Sequence, residues 1–202
     1  MTTLDIHTHS PAALANGSAL VTAGIHPWEL TEENAQAALE QLHGLIAGHR
    51  IVAIGESGLD KLTEAPMALQ LRIFGQQVQW AEAYGLPLII HCVKAIDELL
   101  EVRKRYHPSQ PWVLHGFRGK PQQAMQLLDK GLYLSFGAHY SQEALRLVPD
   151  ERLFIETDAG AYDIEEVLRR VAETRGVEPE HLRKVIQRNI RLVFPLSAQP
   201  PL

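Results

Sequence analysis

Short apolar segments alternate with amphipathic segments along the chain, and this alternation is the feature that most constrains the fold. Seven apolar segments have the length and residue types of strands: residues 4–6, 19–24, 51–56, 87–91, 112–115, 131–136 and 153–157. Seven segments carry the apolar spacing of helices: residues 35–47, 66–84, 95–106, 121–129, 142–147, 164–174 and 179–191. The strand segments are nearly continuous in hydrophobicity, as parallel strands covered by helices on both faces are. The pattern therefore predicts an α/β fold with parallel strands.

Such an alternation builds either an open doubly wound sheet or a (β/α) barrel. Open sheets that bind nucleotides carry a glycine-rich phosphate loop, and the one candidate here, Gly-Glu-Ser-Gly at residues 55–58, lacks the required spacing. We therefore favour the barrel. A chain of 202 residues can bury one sizeable core, so we expect a single domain over residues 1–202.

Charge and cysteine content narrow the class of protein further. A net charge of -5 argues against a surface that coats nucleic acid broadly, but it leaves room for a local basic rim. The single cysteine, Cys92, excludes an intrachain disulfide framework, so we expect a reducing, cytoplasmic location. No signal peptide or membrane span is visible, because the most apolar run, residues 86–90, is far too short to cross a bilayer.

Side chains that bind metal ions stand at the ends of most of the strand segments. His7 and His9 follow the first segment, and side chains two apart on a strand share a face. The further candidates, each at the end of a later segment, are Glu56, His91, His115 and Asp158. A His-x-His pair alone is weak support for a metal site. Because the carboxyl ends of barrel strands converge on one mouth, the whole set predicts one site there.

This mixture of imidazoles and carboxylates suits two divalent cations about 3.5–4 Å apart. The simplest division assigns one cation to His7, His9 and Asp158, and the other to His91 and His115, with Glu56 bridging the two. The expected cofactor is one or two divalent ions, zinc, manganese or magnesium, and imidazole-rich ligands favour the first two over magnesium. We expect the cations to activate a shared water whose proton Asp158 accepts, with Glu56 as the second catalytic residue.

Three side chains in loops beyond the strand ends are candidates for binding substrate. His26, Lys94 and Arg118 could each bind phosphate oxygens, and Arg118 could do so with two parallel hydrogen bonds. The alternative for His26 is a structural role in bracing the turn around it. Asp60 is expected to act as a structural cap, and His139 to lie in a solvated loop.

The segments that carry these residues resemble those of TatD-family metal-dependent hydrolases, within the amidohydrolase-like superfamily. The matching segments are residues 5–9, 24–27, 53–60, 86–91, 115–119, 134–137 and 156–158, together with Gln70, Phe74, Asn189 and Phe194. The resemblance implies a TIM-like barrel with one or two divalent ions. It also implies phosphodiester hydrolysis, most often described as DNase action that trims single strands from the 3′ end, with a nucleic-acid end or a small phosphodiester as substrate.

The chain departs from the family pattern in two places. Family members have enough residues between the first histidine pair and the Gly-x-His-Pro segment for a helix, a strand and a second helix, whereas only residues 10–23 separate them here. We therefore infer a barrel depleted to about seven parallel strands, with one βα unit missing near the N-terminus. On the substrate side, the family arginine after His91 is absent, and Arg118 stands where the family has serine.

Three functions are compatible with the predicted metal site and the family resemblance. The first is a divalent-metal-dependent phosphodiesterase or deoxyribonuclease. The second is a metal-dependent ester or amide hydrolase, including removal of aminoacyl groups from tRNA, which the changes on the substrate side keep open. The third is a non-catalytic metal-binding scaffold, which the complete set of ligands disfavours. We expect a monomer.

Overall fold

The structure is a computed structural model that describes residues 4–9, 20–160 and 162–195. The chain groups into two compact units. Unit A consists of Val21–Trp112 with Phe194 and Pro195, and unit B consists of Val113–Val193 with the described residues of Met1–Leu20. The prediction of a missing βα unit rests on residues 10–23, of which residues 10–19 lie outside the described part of the chain. The assignment of one domain to residues 1–202 stays a prediction.

Unit A is built from three parallel strands and three helices. The strands are β1 (Thr22–Ala23), β2 (Ala53–Asp60) and β3 (Leu88–Val93), and the helices are α1 (Ala35–Ala47), α2 (Met67–Tyr84) and α3 (Ile96–Tyr106). Strand β2 pairs in parallel with β1 on one side and β3 on the other. Helix α2 packs against β2. One apolar cluster of this unit consists of Leu30, Ala35, Ala65, Leu69 and Ile73.

Strand β2 runs further than the sequence predicts. The apolar pattern ends at Glu56, but the strand continues to Asp60, and its register with β3 shifts between Ile54 and Ser57. The continuation requires a glycine at position 58, where φ is +150° and a Cβ atom would lie 1.9 Å from the carbonyl oxygen of His91. This close approach of β2 and β3 places Glu56, Asp60 and His91 side by side.

Unit B contains the three strands that come after β3 in the chain, together with four helices. Its strands are β4 (Trp112–Leu114, from Val113 onward), β5 (Tyr133–Phe136) and β6 (Leu153–Ile155), and its helices are α4 (Pro121–Asp129), α5 (Gln142–Leu147), α6 (Ile164–Arg175) and α7 (Pro179–Val193). Strand β5 pairs in parallel with β4 and with β6. The side-chain amide of Asn189 donates to the carbonyl oxygens of Asp150 and Leu153, which ties α7 to the start of β6.

The first predicted strand lies alongside β6 as an extended segment. It forms two isolated parallel bridges, one between Asp5 and Ile155 and one between Thr8 and Asp158. The other six predicted strands are regular strands, and the seven predicted helices are present with bounds that agree closely. The predicted α/β fold with parallel strands is therefore confirmed. Within the described residues, no helix has both the length and the apolar character needed to cross a membrane.

Candidate active site

Three of the predicted metal ligands meet within unit B. One ligand atom from each of His7, His115 and Asp158 lies within 4.8 Å of the other two. The Nε2 atom of His7 is 3.7 Å from Oδ1 of Asp158, and the rings of His7 and His115 are 4.7 Å apart. His9 also faces Asp158, with its Nε2 atom 3.5 Å from the same oxygen. These imidazole nitrogens and carboxylate oxygens are donors that zinc and related divalent cations prefer, so the group fits one such ion.

Backbone hydrogen bonds hold this group in place. The amide of Asp158 donates to the carbonyl of His7 at 3.0 Å, and the amide of His9 donates to the carbonyl of Asp158 at 3.3 Å. Asp158 has a φ of +50°, a left-handed conformation that aspartate tolerates better than most residues. The N-terminal segment therefore presents its histidines to Asp158 through a short parallel ladder.

Asp5 fastens the same segment from inside the protein. Its buried carboxylate accepts hydrogen bonds from the amide of His7 at 3.2 Å and from the hydroxyl of Thr157 at 2.6 Å. Burial raises the pKa of Asp5 to about 6; hydrogen bonds from Thr157 and His7 oppose this rise, and the nearby charge of Glu156 adds to it. Asp5 therefore fixes the backbone that carries His7.

A fully buried carboxylate, Glu156, orients His115. Its Oε1 atom lies 3.2 Å from Nδ1 of His115 and accepts a hydrogen bond from the amide of Gly116 at 2.7 Å. Burial alone would raise the pKa of Glu156, but the interactions with His115, His7 and Ser135 outweigh it and hold the pKa below its usual value. An ionised Glu156 therefore accepts a hydrogen bond from the Nδ1–H group of His115, which leaves Nε2 as the atom that can bind a cation.

A cavity of about 290 Å³ in unit B adjoins this ligand group. Asp158, Arg118 and His139 line it together with glycine backbone. The cavity thus contains Arg118, which the sequence predicts as a substrate-binding residue. His139 is exposed, as expected of a solvated loop, but it also lines this cavity. A guanidinium group and an imidazole beside the ligand group suit an anionic substrate.

A second group of candidate ligands lies within unit A. Ligand atoms of His26, Glu56 and His91 lie within 4.8 Å of one another. The Oε1 atom of Glu56 is 2.8 Å from Nδ1 of His91 and 3.1 Å from Nε2 of His26. On its other side, His91 places Nε2 3.0 Å from Oδ2 of Asp60. His91 therefore lies between two carboxylates.

Asp60 takes a larger part in this group than the sequence predicts. Its Oδ1 atom does cap the following turn, because it accepts a hydrogen bond from the amide of Leu62 at 2.7 Å. Its Oδ2 atom, however, contacts His91 and accepts a hydrogen bond from the indole of Trp28 at 2.7 Å. Burial would raise the pKa of Asp60, but its hydrogen bonds to His91, Trp28 and Leu62 outweigh it and lower the pKa. When Asp60 accepts a hydrogen bond from the Nε2–H group of His91, Nδ1 is the atom that can bind a cation together with Glu56.

The hydrogen bonds of His26 identify it as a donor. Its Nδ1 atom accepts a hydrogen bond from the amide of Trp28 at 3.1 Å, so that nitrogen carries no proton. The ring proton is then on Nε2 and points at Glu56. Gln77 holds the preceding residue by accepting the amide proton of Ile25 at 2.8 Å. In this arrangement His26 presents an N–H group to the site, and it also braces its own turn.

Within unit B, His115 lies beside His7 and Asp158. Glu156 holds the His115 ring on the side facing His7. The predicted division of the ligands between two cations, which places His115 with His91, stays a prediction. Lys94 is exposed and directly follows β3, with a φ of +53°. The assignment of individual residues to metal and substrate stays a prediction.

Comparisons with known proteins give one consistent answer. A family model described as TatD related DNase matches residues 2–195. A 3'-5' ssDNA/RNA exonuclease TatD from Citrobacter rodentium is 31% identical over 205 residues, covering 87% of this chain and 77% of the relative. An uncharacterized metal-dependent hydrolase, YabD, from Bacillus subtilis is 27% identical over 199 residues and covers 86% of this chain and 76% of the relative.

Solved structures agree with the sequence relatives. The YJJV TatD homolog from Escherichia coli superposes with a TM-score of 0.78 at 25% identity, covering 91% of this chain and 80% of that one. A TatD family hydrolase from Entamoeba histolytica superposes with a TM-score of 0.76 at 20% identity, covering 88% and 75%. These likenesses confirm the predicted fold class, an α/β fold that is TIM-barrel-like, whereas the depletion to about seven strands stays a prediction.

Proposed function

Because this chain belongs to the TatD related DNase family, we propose that it hydrolyses phosphodiester bonds at nucleic-acid ends with divalent cations as cofactors. Membership confirms the prediction of a metal-dependent hydrolase of TatD type. The nucleic-acid substrate is proposed by analogy with curated relatives that are named 3'-5' ssDNA/RNA exonucleases. A small phosphodiester is the alternative substrate of the same class. We also propose a cytoplasmic location, in keeping with the single cysteine, and a monomeric state.

One observation carries the proposal: each unit contains a histidine that is held by a buried carboxylate and directed at further ligand atoms. In unit B, Glu156 holds His115. In unit A, Asp60 holds His91. A carboxylate behind a histidine fixes the tautomer and increases the basicity of the nitrogen that binds metal, and such partners are typical of metal centres. The donor sets therefore fit divalent cations.

One cation would be held by His7, His115 and Asp158, with His9 at the exposed side of the group. Glu56 and His91 would hold another, through the Oε1 and Nδ1 atoms that lie 2.8 Å apart in the structure. When bound, such cations act as Lewis acids and lower the pKa of a coordinated water to about 7. The many imidazole donors favour zinc or manganese over magnesium.

The remaining steps belong to side chains of the chain itself. Asp158 lines the cavity and can accept the proton of the attacking water, then deliver it to the leaving oxygen. Arg118 lines the same cavity and can bind two phosphoryl oxygens at once. His26 directs an N–H group at the second ligand group, where it can donate to a phosphate oxygen. Lys94 follows β3 and adds a positive charge at the end of that strand.

The role of Asp158 is tested by Asp158→Asn, which keeps the size of the side chain and tolerates a positive φ. We expect kcat to fall by about 10²–10⁴, the usual contribution of a general acid or base. The matched control is Asp129→Asn at the exposed end of α4, which should leave kcat unchanged. Metal content is measured in each variant, and near wild-type hydrolysis by a metal-loaded Asp158→Asn protein would refute the assignment.

The substrate class is tested by assaying the purified protein with manganese, magnesium or zinc against three compounds. These are single-stranded DNA, bis-p-nitrophenyl phosphate and a p-nitrophenyl carboxylic ester. We expect hydrolysis of both phosphodiesters and little turnover of the ester. Turnover of the ester alone would instead indicate the ester or amide hydrolase, and no turnover with metal bound would indicate the scaffold.

A further inference from the structure

Trp28 is an exposed aromatic side chain beside the ligand group of unit A. Its exposed fraction is 67%, which is unusual for the largest apolar side chain. Its ring lies 5.0 Å from the ring of His26 and 5.8 Å from the ring of His91, both edge to face. A large open aromatic surface therefore stands next to two residues that the proposed function uses.

The position of the indole is fixed, although most of its surface faces solvent. Its Nε1–H group donates to Oδ2 of Asp60 at 2.7 Å, and its backbone amide donates to Nδ1 of His26 at 3.1 Å. The same Oδ2 atom of Asp60 lies 3.0 Å from Nε2 of His91. Asp60 thus holds the Trp28 indole against the ligand group. A ring fixed in this way loses little rotational freedom when a ligand stacks on it.

We propose that Trp28 is a stacking platform for a nucleobase of the substrate, and this inference rests on the proposed function. Every base has a flat π-face, so a single aromatic platform binds single-stranded nucleic acid without requiring one sequence. Trp28 would give the enzyme a preference for phosphodiesters that carry bases over phosphodiesters that do not. Because its N–H group already bonds to Asp60, only the ring surface is offered to substrate.

The kinetic test uses two oligonucleotides, one unmodified and one whose terminal nucleotides carry abasic tetrahydrofuran sugars. The readout is the ratio of kcat/KM for the two substrates. In Trp28→Ala we expect this ratio to fall about tenfold to hundredfold, chiefly through a higher KM for the unmodified strand. Trp28→Phe keeps an aromatic ring but loses the bond to Asp60, so it should retain most of the ratio. Leu192→Ala, which removes a 74% exposed side chain from α7, should leave the ratio unchanged.

Three kinetic outcomes would overturn the proposal. If Trp28→Ala slows both oligonucleotides equally, Trp28 acts through Asp60 and the ligand group rather than through stacking. If Trp28→Phe loses the ratio as fully as Trp28→Ala does, the N–H bond matters and the ring surface does not. If Trp28→Ala changes kcat/KM for neither oligonucleotide, the exposed ring has no role in substrate binding.

Fluorescence gives a second readout that does not depend on turnover. The chain has three tryptophans, and a base stacked on Trp28 should quench the emission of that residue. We expect a single-stranded oligonucleotide to quench the emission of the Asp158→Asn protein, and to quench it much less when Trp28→Phe is added. Equal quenching with and without Trp28 would contradict the platform. Quenching by Trp28 in a wild-type protein that hydrolyses no phosphodiester would contradict the proposed function and leave the platform standing.

Discussion

At the scale of single residues, the site depends on carboxylates that do not themselves stand among its predicted ligands. Glu156 and Asp60 each bond to a histidine, and each is buried. A buried carboxylate without such a partner would cost several kcal/mol, so the histidine and the acid stabilise each other before any cation binds. The histidines are therefore oriented in advance.

Glu156→Gln tests this orienting role. We predict that the affinity of unit B for its cation falls about 10–100-fold, because a neutral amide accepts the Nδ1–H bond of His115 more weakly and raises the basicity of its Nε2 atom less. Titration calorimetry with manganese or zinc measures the affinity directly. Glu151→Gln, an exposed change in the same unit, is the matched control. Unchanged affinity in Glu156→Gln would mean that the buried acid serves only the packing of β6 against its neighbours.

The candidate ligand residues could be predicted from the sequence, but the carboxylates that hydrogen-bond to their histidines could not. The sequence predicts His7, His115 and Asp158 because each stands at the end of an apolar segment, and the carboxyl ends of parallel strands lie on one side of the sheet. Glu156 lies within the last apolar segment. The free-energy cost of burying an unpaired carboxylate there was the signal that it needs a partner. Asp60 gave no such signal, because the apolar pattern ends at Glu56 and the continuation of β2 depends on a close contact with β3.

At the scale of elements, this continuation of β2 depends on Gly58. We predict that Gly58→Ala lowers the free energy of unfolding of the metal-free protein by about 3 kcal/mol or more, since a Cβ atom would overlap the carbonyl of His91 and φ is unfavourable for alanine. Gly44→Ala is the control, because Gly44 is a solvent-exposed residue away from the ends of α1 with open space around it. That change should raise the free energy of unfolding by about 0.5–1 kcal/mol.

Urea unfolding of both variants in the presence of a chelator measures these differences. If Gly58→Ala were as stable as the wild type, β2 would not need its close approach to β3.

The helices, in contrast, were predictable almost to the residue, because apolar spacing and glycine at the helix end are local signals. Gly85 and Gly176 end α2 and α6 in the left-handed conformation that such glycines favour.

At the scale of the whole chain, the cation of unit B would link segments that are far apart in sequence. His7 lies in the N-terminal segment, whereas His115 and Asp158 follow β4 and β6. Sequence motifs predict that these residues meet, but they do not show how strongly the N-terminal segment is held. In the structure that segment is held by two isolated bridges, a few backbone hydrogen bonds and Asp5. A cation shared by His7 and Asp158 would add a further link, so stability and metal content should be coupled.

We therefore predict that removing metal destabilises the protein measurably. A ligand at a hundred times its Kd stabilises the folded state by about 2.7 kcal/mol, which corresponds to roughly 5–10 °C in Tm for a chain of this size. Calorimetry with added manganese or zinc, and then with excess chelator, measures the change. His7→Ala should abolish most of the shift, since it removes the link from the N-terminal segment, whereas His181→Ala, a largely exposed change, should retain it. The same Tm with and without metal would show that these ligands do not hold a cation in the folded protein.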